Sequence, residues 1–147
     1  METADLTLTI QFHVPGTPVA KGRPRFARRG NFVSAYTPAK TKAYEATVRE
    51  LAIEAMQGME PLDTPIVAVI KICIAVPASY SKARRQACLD TKEMPTKKPD
   101  WDNIAKAITD SLNGIVYVDD CQIVSVYVTK RYCMEAGVSV IIREEIL

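Results

Sequence analysis

From Ile66 to Val76 the chain runs through eleven residues that are apolar except for Lys71, bracketed by Pro65 and Pro77. Seven of them are Ile or Val, whose branched side chains suit a pleated strand and lose χ1 freedom in a helix. The run has no polar face to turn to water, so it predicts a central strand covered on both faces. It falls far short of the roughly 20 residues that cross a bilayer, and no membrane span is expected. Such a strand cannot fold alone, so the rest of the chain has to supply flanking strands and covering helices.

Periodicity places those elements. Leu6, Leu8, Ile10, Phe12 and Val14 alternate with Thr7, Thr9, Gln11 and His13, predicting a strand with one buried face and His13 on the polar one. Val48, Leu51, Ala52 and Ala55 fall at helical spacing in a helix over 38–57, with Thr37 as N-cap, Pro38 as first helical residue and Gly58 as terminator. Tyr80 to Leu89 reads as a short basic helix and Thr91 to Pro99 as a loop. Asp102 to Asn113 forms a third helix, with an apolar face of Ile104, Ala105, Ile108 and Leu112 and with Gly114 suited to its cap. Val116 to Val118, Ile123 to Tyr132 and Val138 to Arg143 read as strands, with a turn at Glu135 to Gly137. This order implies an α+β (mixed α/β) fold, a single domain over 1–147 with a mixed β-sheet packed against helices. At 48% hydrophobic and 24% charged residues, the chain has the composition of a soluble globular protein.

Cys73, Cys88, Cys121 and Cys133 show no CxxC pairing, and Glu2 and Asp5 stand where a secretory signal needs a basic start and an apolar core. The expectation is a cytoplasmic protein without disulfides or structural zinc. His13 is the only histidine, which excludes HExxH sites and His-rich clusters, so a metal site has to be built from oxygen ligands.

The net charge of +2 conceals strong segregation. Leu6 to Tyr44 carries no acidic residue and seven basic ones: Lys21, Arg23, Arg25, Arg28, Arg29, Lys40 and Lys42. Ser81 to Pro99 sums to +4, whereas Asp100 to Asp120 sums to −4. An acidic cluster flanked by basic stretches is what an enzyme acting on a polyanion needs, since phosphates must be attracted and a metal held. In Lys21 to Arg29 the basic residues are punctuated by Gly22, Pro24 and Phe26, which predicts a loop or hairpin presenting guanidinium groups rather than a solvated helix face. Lys21, Arg23, Arg25, Arg28 and Arg29 are therefore the candidate contacts to the phosphates of a polyanion.

On the third helix Asp102, Lys106, Thr109 and Asn113 project from one side, opposite Ile104, Ile108 and Leu112. Asp100, just ahead of the helix, can reach the space of Asp102, and Asp119 and Asp120 approach both if the Val116 to Val118 strand lies beside the helix. Short carboxylates without His or Cys favour a hard cation, Mg²⁺ or in its place Mn²⁺, that keeps waters and also binds a phosphate oxygen. Such an ion would polarise a phosphodiester, with Lys106 orienting the nucleophile or neutralising developing charge. Each residue also has a plain structural role open to it: Asp100 or Asp102 as helix cap, Lys106 as an i,i+4 partner of Asp102, and Asp119-Asp120 as a polar turn.

The segment KPDWDNIAKAITDSLNGIVYVDDCQIV, Lys98 to Val124, resembles the signature of RusA-type Holliday-junction resolvases. It has the K-P-D-x-D-N start, a Lys four residues after the second Asp, a D-x-L-N-G helix end and D-D-x-Q-I; upstream, PGTPVAKGRPRF and YTPAKTKAYE are also similar to family members. The resemblance implies a Mg²⁺-dependent, homodimeric endonuclease that nicks four-way DNA junctions on opposing strands. Its essential acidic residues correspond to Asp100, Asp102 and Asp120, with Lys106 as the catalytic lysine and Asp119 as a further carboxylate at the metal. With DNA as the polyanion, Lys21, Arg23, Arg25, Arg28 and Arg29 become the candidate DNA contacts, to phosphates rather than bases. Two other readings compete with the resemblance. In a PD-(D/E)xK nuclease, Asp90-Thr91-Lys92 would have to follow Pro99-Asp100 and instead precedes it. In a non-catalytic junction-binding protein or regulator, the carboxylates would hold structure or a nonproductive ion.

Overall fold

The computed structural model describes residues 8–22, 25–36 and 38–146, with the side chains of 25–27, 29 and 32–36 left aside. Its centre is a mixed four-stranded sheet of β1 (Thr9–Pro15), β4 (Ile66–Ala75), β5 (Ile123–Cys133) and β6 (Gly137–Glu144), in the order β1-β6-β4-β5. β4 pairs parallel with β5 and antiparallel with β6, and β1 closes the other side antiparallel to β6. The basic segment forms a separate hairpin, β2 (Arg25–Arg29) with β3 (Phe32–Tyr36). Three helices complete a single α+β domain: α1 (Ala39–Met56), α2 (Lys82–Leu89) and α3 (Trp101–Ser111). No described helix is long and apolar enough to cross a membrane.

β4 is central, as its composition demands, but only one of its faces is fully covered. Ile66, Ala68, Ile70 and Ile72 point into the core with Val48, Ala52, Ile104, Ile108 and Val140. On the other face Lys71 is exposed, in a row with Ser139 of β6 and Thr129 of β5, and the neighbouring row carries the exposed Tyr127. His13 extends the Lys71 row, exposed, with Nδ1 3.0 Å from Ser139 Oγ. The expectation of two covered faces is corrected accordingly: the three described helices do not cover both.

Three further expectations change. Val116 to Val118 is not a regular strand; Tyr117 forms isolated bridges to Leu62 and Asn113 because the chain folds straight back on the end of α3. The first strand begins at Thr9, with Leu6 outside the described residues, and α1 is capped at Pro38 while Thr37 lies outside them. Cys73 and Cys133 form a disulfide, their Cα atoms 5.4 Å apart, which overturns the expectation of none. Sixty residues separate them in sequence, and only the parallel register that sets Ala75 opposite Cys133 brings them together.

Tyr44 of α1 is buried and its hydroxyl has no partner among the described residues; burial pushes its pKa up to about 12. An orphaned buried donor costs desolvation that no bond returns. Tyr44→Phe should therefore leave stability unchanged or raise it by up to about 1 kcal/mol in urea unfolding, and a comparable loss would mean that the hydroxyl is bonded.

Candidate active site

α3 is the spine of the site. Ile104, Ala107, Ile108 and Ser111 are buried, while Asp102 and Lys106 are exposed on the opposite side. Asp100 is the N-cap residue, extended in backbone and exposed, with no capping bond from its side chain, so its carboxylate stands at the helix entrance without a partner among the described residues. The approach to α3 is held by Lys130 of β5, whose Nζ donates to the carbonyls of Lys97 (2.9 Å) and Pro99 (3.0 Å). Negative charge at Asp100 and Asp102 is favoured there by the unpaired N–H groups of the first helical turn.

The other end of the site is built by the return of the chain after α3. The buried Tyr117 hydroxyl donates to Thr109 O at 2.6 Å, and Leu62 exchanges backbone bonds with Val116 and Val118. A 3₁₀ turn over Asp120–Gln122 follows, capped by Asp119 and pinned by Gln122 Nε2 to the carbonyls of Leu62 and Thr64. Asp120 N–H donates to Asn113 Oδ1 at 2.8 Å, which sets Asp120 beside the last turn of α3.

There the Asp120 carboxyl meets that of Asp110, a residue outside the sequence-based set. Burial and the neighbouring Asp110 raise the Asp120 pKa. Burial works against ionisation of Asp110, but its contacts with Asp120, Lys21 and Lys106 outweigh it and hold Asp110 below the usual carboxylate range. Lys106 Nζ lies 3.3 Å from both Asp110 oxygens, so its i,i+4 partner is Asp110 and not Asp102. Lys21 Nζ lies 3.3 Å from Asp110 Oδ2 and 3.1 Å from both Glu45 oxygens.

The predicted carboxylates thus fall into two groups along one helix. Asp100 and Asp102 stand at its start, and Asp120 stands with Asp110 at its end, ~12 Å further along the axis at 1.5 Å per residue. Among the described residues no three acidic, His or Cys side chains converge on one point. Asp119 accepts from Asp120 N–H at 3.0 Å and takes part in a capping box with Gln122, the polar-turn role open to it from sequence. Of the basic set, Arg28 is exposed with Nε donating to Gly30 O at 3.3 Å, Arg25 and Arg29 lie on β2, and Arg23 lies outside the described residues. Glu45 and Lys130 were missed because their partners come from distant segments, although Glu45 ends the family-like YTPAKTKAYE; Asp110 had two local signals, its place at the head of the D-x-L-N-G helix end and its spacing four residues after Lys106.

Residues 15–143 match the family model described as endodeoxyribonuclease RusA, a span that takes in the basic hairpin and the whole of α3 and its flanks. The chain belongs to the RusA endodeoxyribonuclease family. It is also 38% identical over 138 residues to the uncharacterized protein YqaN of Bacillus subtilis (strain 168), covering 92% of this chain and 96% of that protein. This RusA-family chain therefore shares nearly its full length with a relative, and the polar face of α3 lies inside the matched region.

Proposed function

We propose that this RusA-family chain is a divalent-metal-dependent endonuclease that resolves four-way DNA junctions as a homodimer, by paired symmetric nicks. The observation that carries the reading is the polar face of α3, where exposed carboxylates at Asp100 and Asp102, the ammonium of Lys106 and the Asp110–Asp120 pair line one side of a helix whose other side is core. A protein that only bound phosphates would gain nothing from carboxylates placed next to its ligand.

The donor set is all oxygen, which suits Mg²⁺ or Mn²⁺, and Mg²⁺ needs only one or two carboxylates when substrate phosphate and water complete its shell. Asp100 and Asp102, at the helix start, are the residues to hold it, and Asp120 and Asp119, at the other end of the polar face, are the further carboxylates of the proposed cleavage site. Bound there, the ion supplies polarisation of the phosphodiester and an activated water. Lys106 supplies a positive charge for the developing negative charge, and the hairpin arginines Arg25, Arg28 and Arg29, with Arg23, attract the backbone. Opposed incisions require two equivalent sites. The outer edge of β5, with Val124, Val126, Tyr127 and the nearby Trp101 exposed, supports a second copy as partner.

The decisive experiment incubates labelled four-way junction, flap and linear duplex with the protein in Mg²⁺ or chelator and separates products on denaturing gels. Metal-dependent paired nicks confined to the junction are expected. Binding without cleavage would make the chain architectural, and equal cutting of duplex would remove junction selectivity.

A further inference from the structure

We propose that Lys21 is a positioning residue of the cleavage site rather than a DNA contact, its ammonium anchored on Glu45 and fixing the Asp110 carboxylate against Lys106 and Asp120. The inference rests on the nuclease reading and adds to it an arm that reaches from α1 through Lys21 to α3.

A lysine that binds phosphate carries its charge on a long, mobile stem. Lys21 is held at both ends. Its backbone N–H donates to Asn103 O of α3 at 2.8 Å, and the next N–H, of Gly22, donates to Thr41 Oγ1 of α1 at 3.3 Å. The buried Thr41 hydroxyl donates in turn to Ala20 O at 3.4 Å. Gly22 is required at this crossing, because a Cβ there would stand 2.9 Å from Pro38 Cγ. At the other end, the three donors of the ammonium face Glu45, which is 7% exposed, and Asp110. Turning Lys21 outward to a phosphate would leave two partly desolvated carboxylates without their shared cation. The exposed Arg28, whose side chain bonds only its own turn among the described residues, has no such obligation.

Asp110 is the point where this arm meets the chemistry. It lies between two ammonium groups and also touches Asp120. With Lys21 removed, Asp110 keeps Lys106 as its one cation, draws it from the reacting phosphate and leaves its own charge uncompensated against Asp120. Such a support residue typically carries 10- to 100-fold in activity while touching no substrate.

The test is Lys21→Met, with junction binding measured across salt concentrations and single-turnover incision measured at saturating junction. A 10- to 100-fold lower incision rate is expected, with the affinity and its salt slope unchanged. Lys21→Arg should restore most of the rate, since a guanidinium can span Glu45 and Asp110. Arg28→Ala is the contrast, and should lower the salt slope by about one phosphate contact. A Lys21→Met protein that cuts at the normal rate but loses about one unit of slope overturns the inference. If that variant does not fold, Glu45→Gln, which keeps Lys21, should lower the rate several-fold at constant slope, and an unchanged rate there overturns the inference equally. A wild-type chain that binds junctions and never cuts them would instead sink the nuclease reading, and the positioning role with it.

Discussion

Asp102→Asn is expected to lower metal-dependent junction incision by on the order of 10³-fold, the upper range for a single preorganised group, while junction binding is retained. Asn keeps the volume and one oxygen of Asp102 but removes its formal charge, which is what a hard cation is held by. The fold should tolerate the change, because Asp102 is exposed in the first turn of α3 and charge there stabilises a helix by only about 0.3–1 kcal/mol. Binding should tighten slightly if it moves at all, because a negative charge near the phosphates is lost. The measurement is single-turnover cleavage alongside an electrophoretic binding titration. A rate within tenfold of wild type would remove Asp102 from the site and leave the chemistry to the Asp110–Asp120 end of α3.

Ile108→Ala is expected to cost about 3–4 kcal/mol of stability. Ile108 is fully buried on the inner side of α3, in the same core cluster as Ile70 and Ile104, and truncation leaves a cavity that close-packed neighbours fill only in part. For a chain of this size each kcal/mol shifts the melting temperature by about 2–4 °C, so a fall of roughly 6–16 °C should be seen by calorimetry. Ile53→Ala, at an Ile that is 59% exposed on α1, should stay within about 0.5 kcal/mol. Because Ile108 and Lys106 are on opposite sides of one helix, the Ile108 variant should still cut well below its melting temperature, separating loss of fold from loss of chemistry. A cost under 1 kcal/mol would mean that α3 is not seated on the sheet as described.

Much of this protein was legible in its residues. The Ile66 run became the central strand, the 38–57 pattern became α1 within a residue or two, and the apolar stripe Ile104, Ile108, Leu112 correctly oriented α3. Each rests on a local cause, since β-branched residues, period 3.6 and period 2 act within a few residues of each other. The polar face carrying Asp102, Lys106 and Asn113 follows from the same helical geometry. The family signature is local in the same way, which is why one segment of the chain was enough to point to a nuclease family.

What the residues could not specify was pairing between segments far apart in the chain. Lys106 turns to Asp110 and not to Asp102, and the same carboxylate is met from a distant part of the chain by Lys21, itself held by Glu45 of α1. The expected strand at Val116 to Val118 became a return loop because the Tyr117 hydroxyl bonds back to Thr109, and this contact seats Asp120 at the end of α3. The Cys73–Cys133 disulfide and the open sheet face follow from strand order. Hydrophobic periodicity determines which side of an element is buried, because burial depends on the residue's own free energy of transfer. Which charges meet between elements is decided only in three dimensions, because outside the i,i+3 and i,i+4 spacings of a helix an ion pair has no preferred separation along the chain and forms wherever the packed core brings its two partners together.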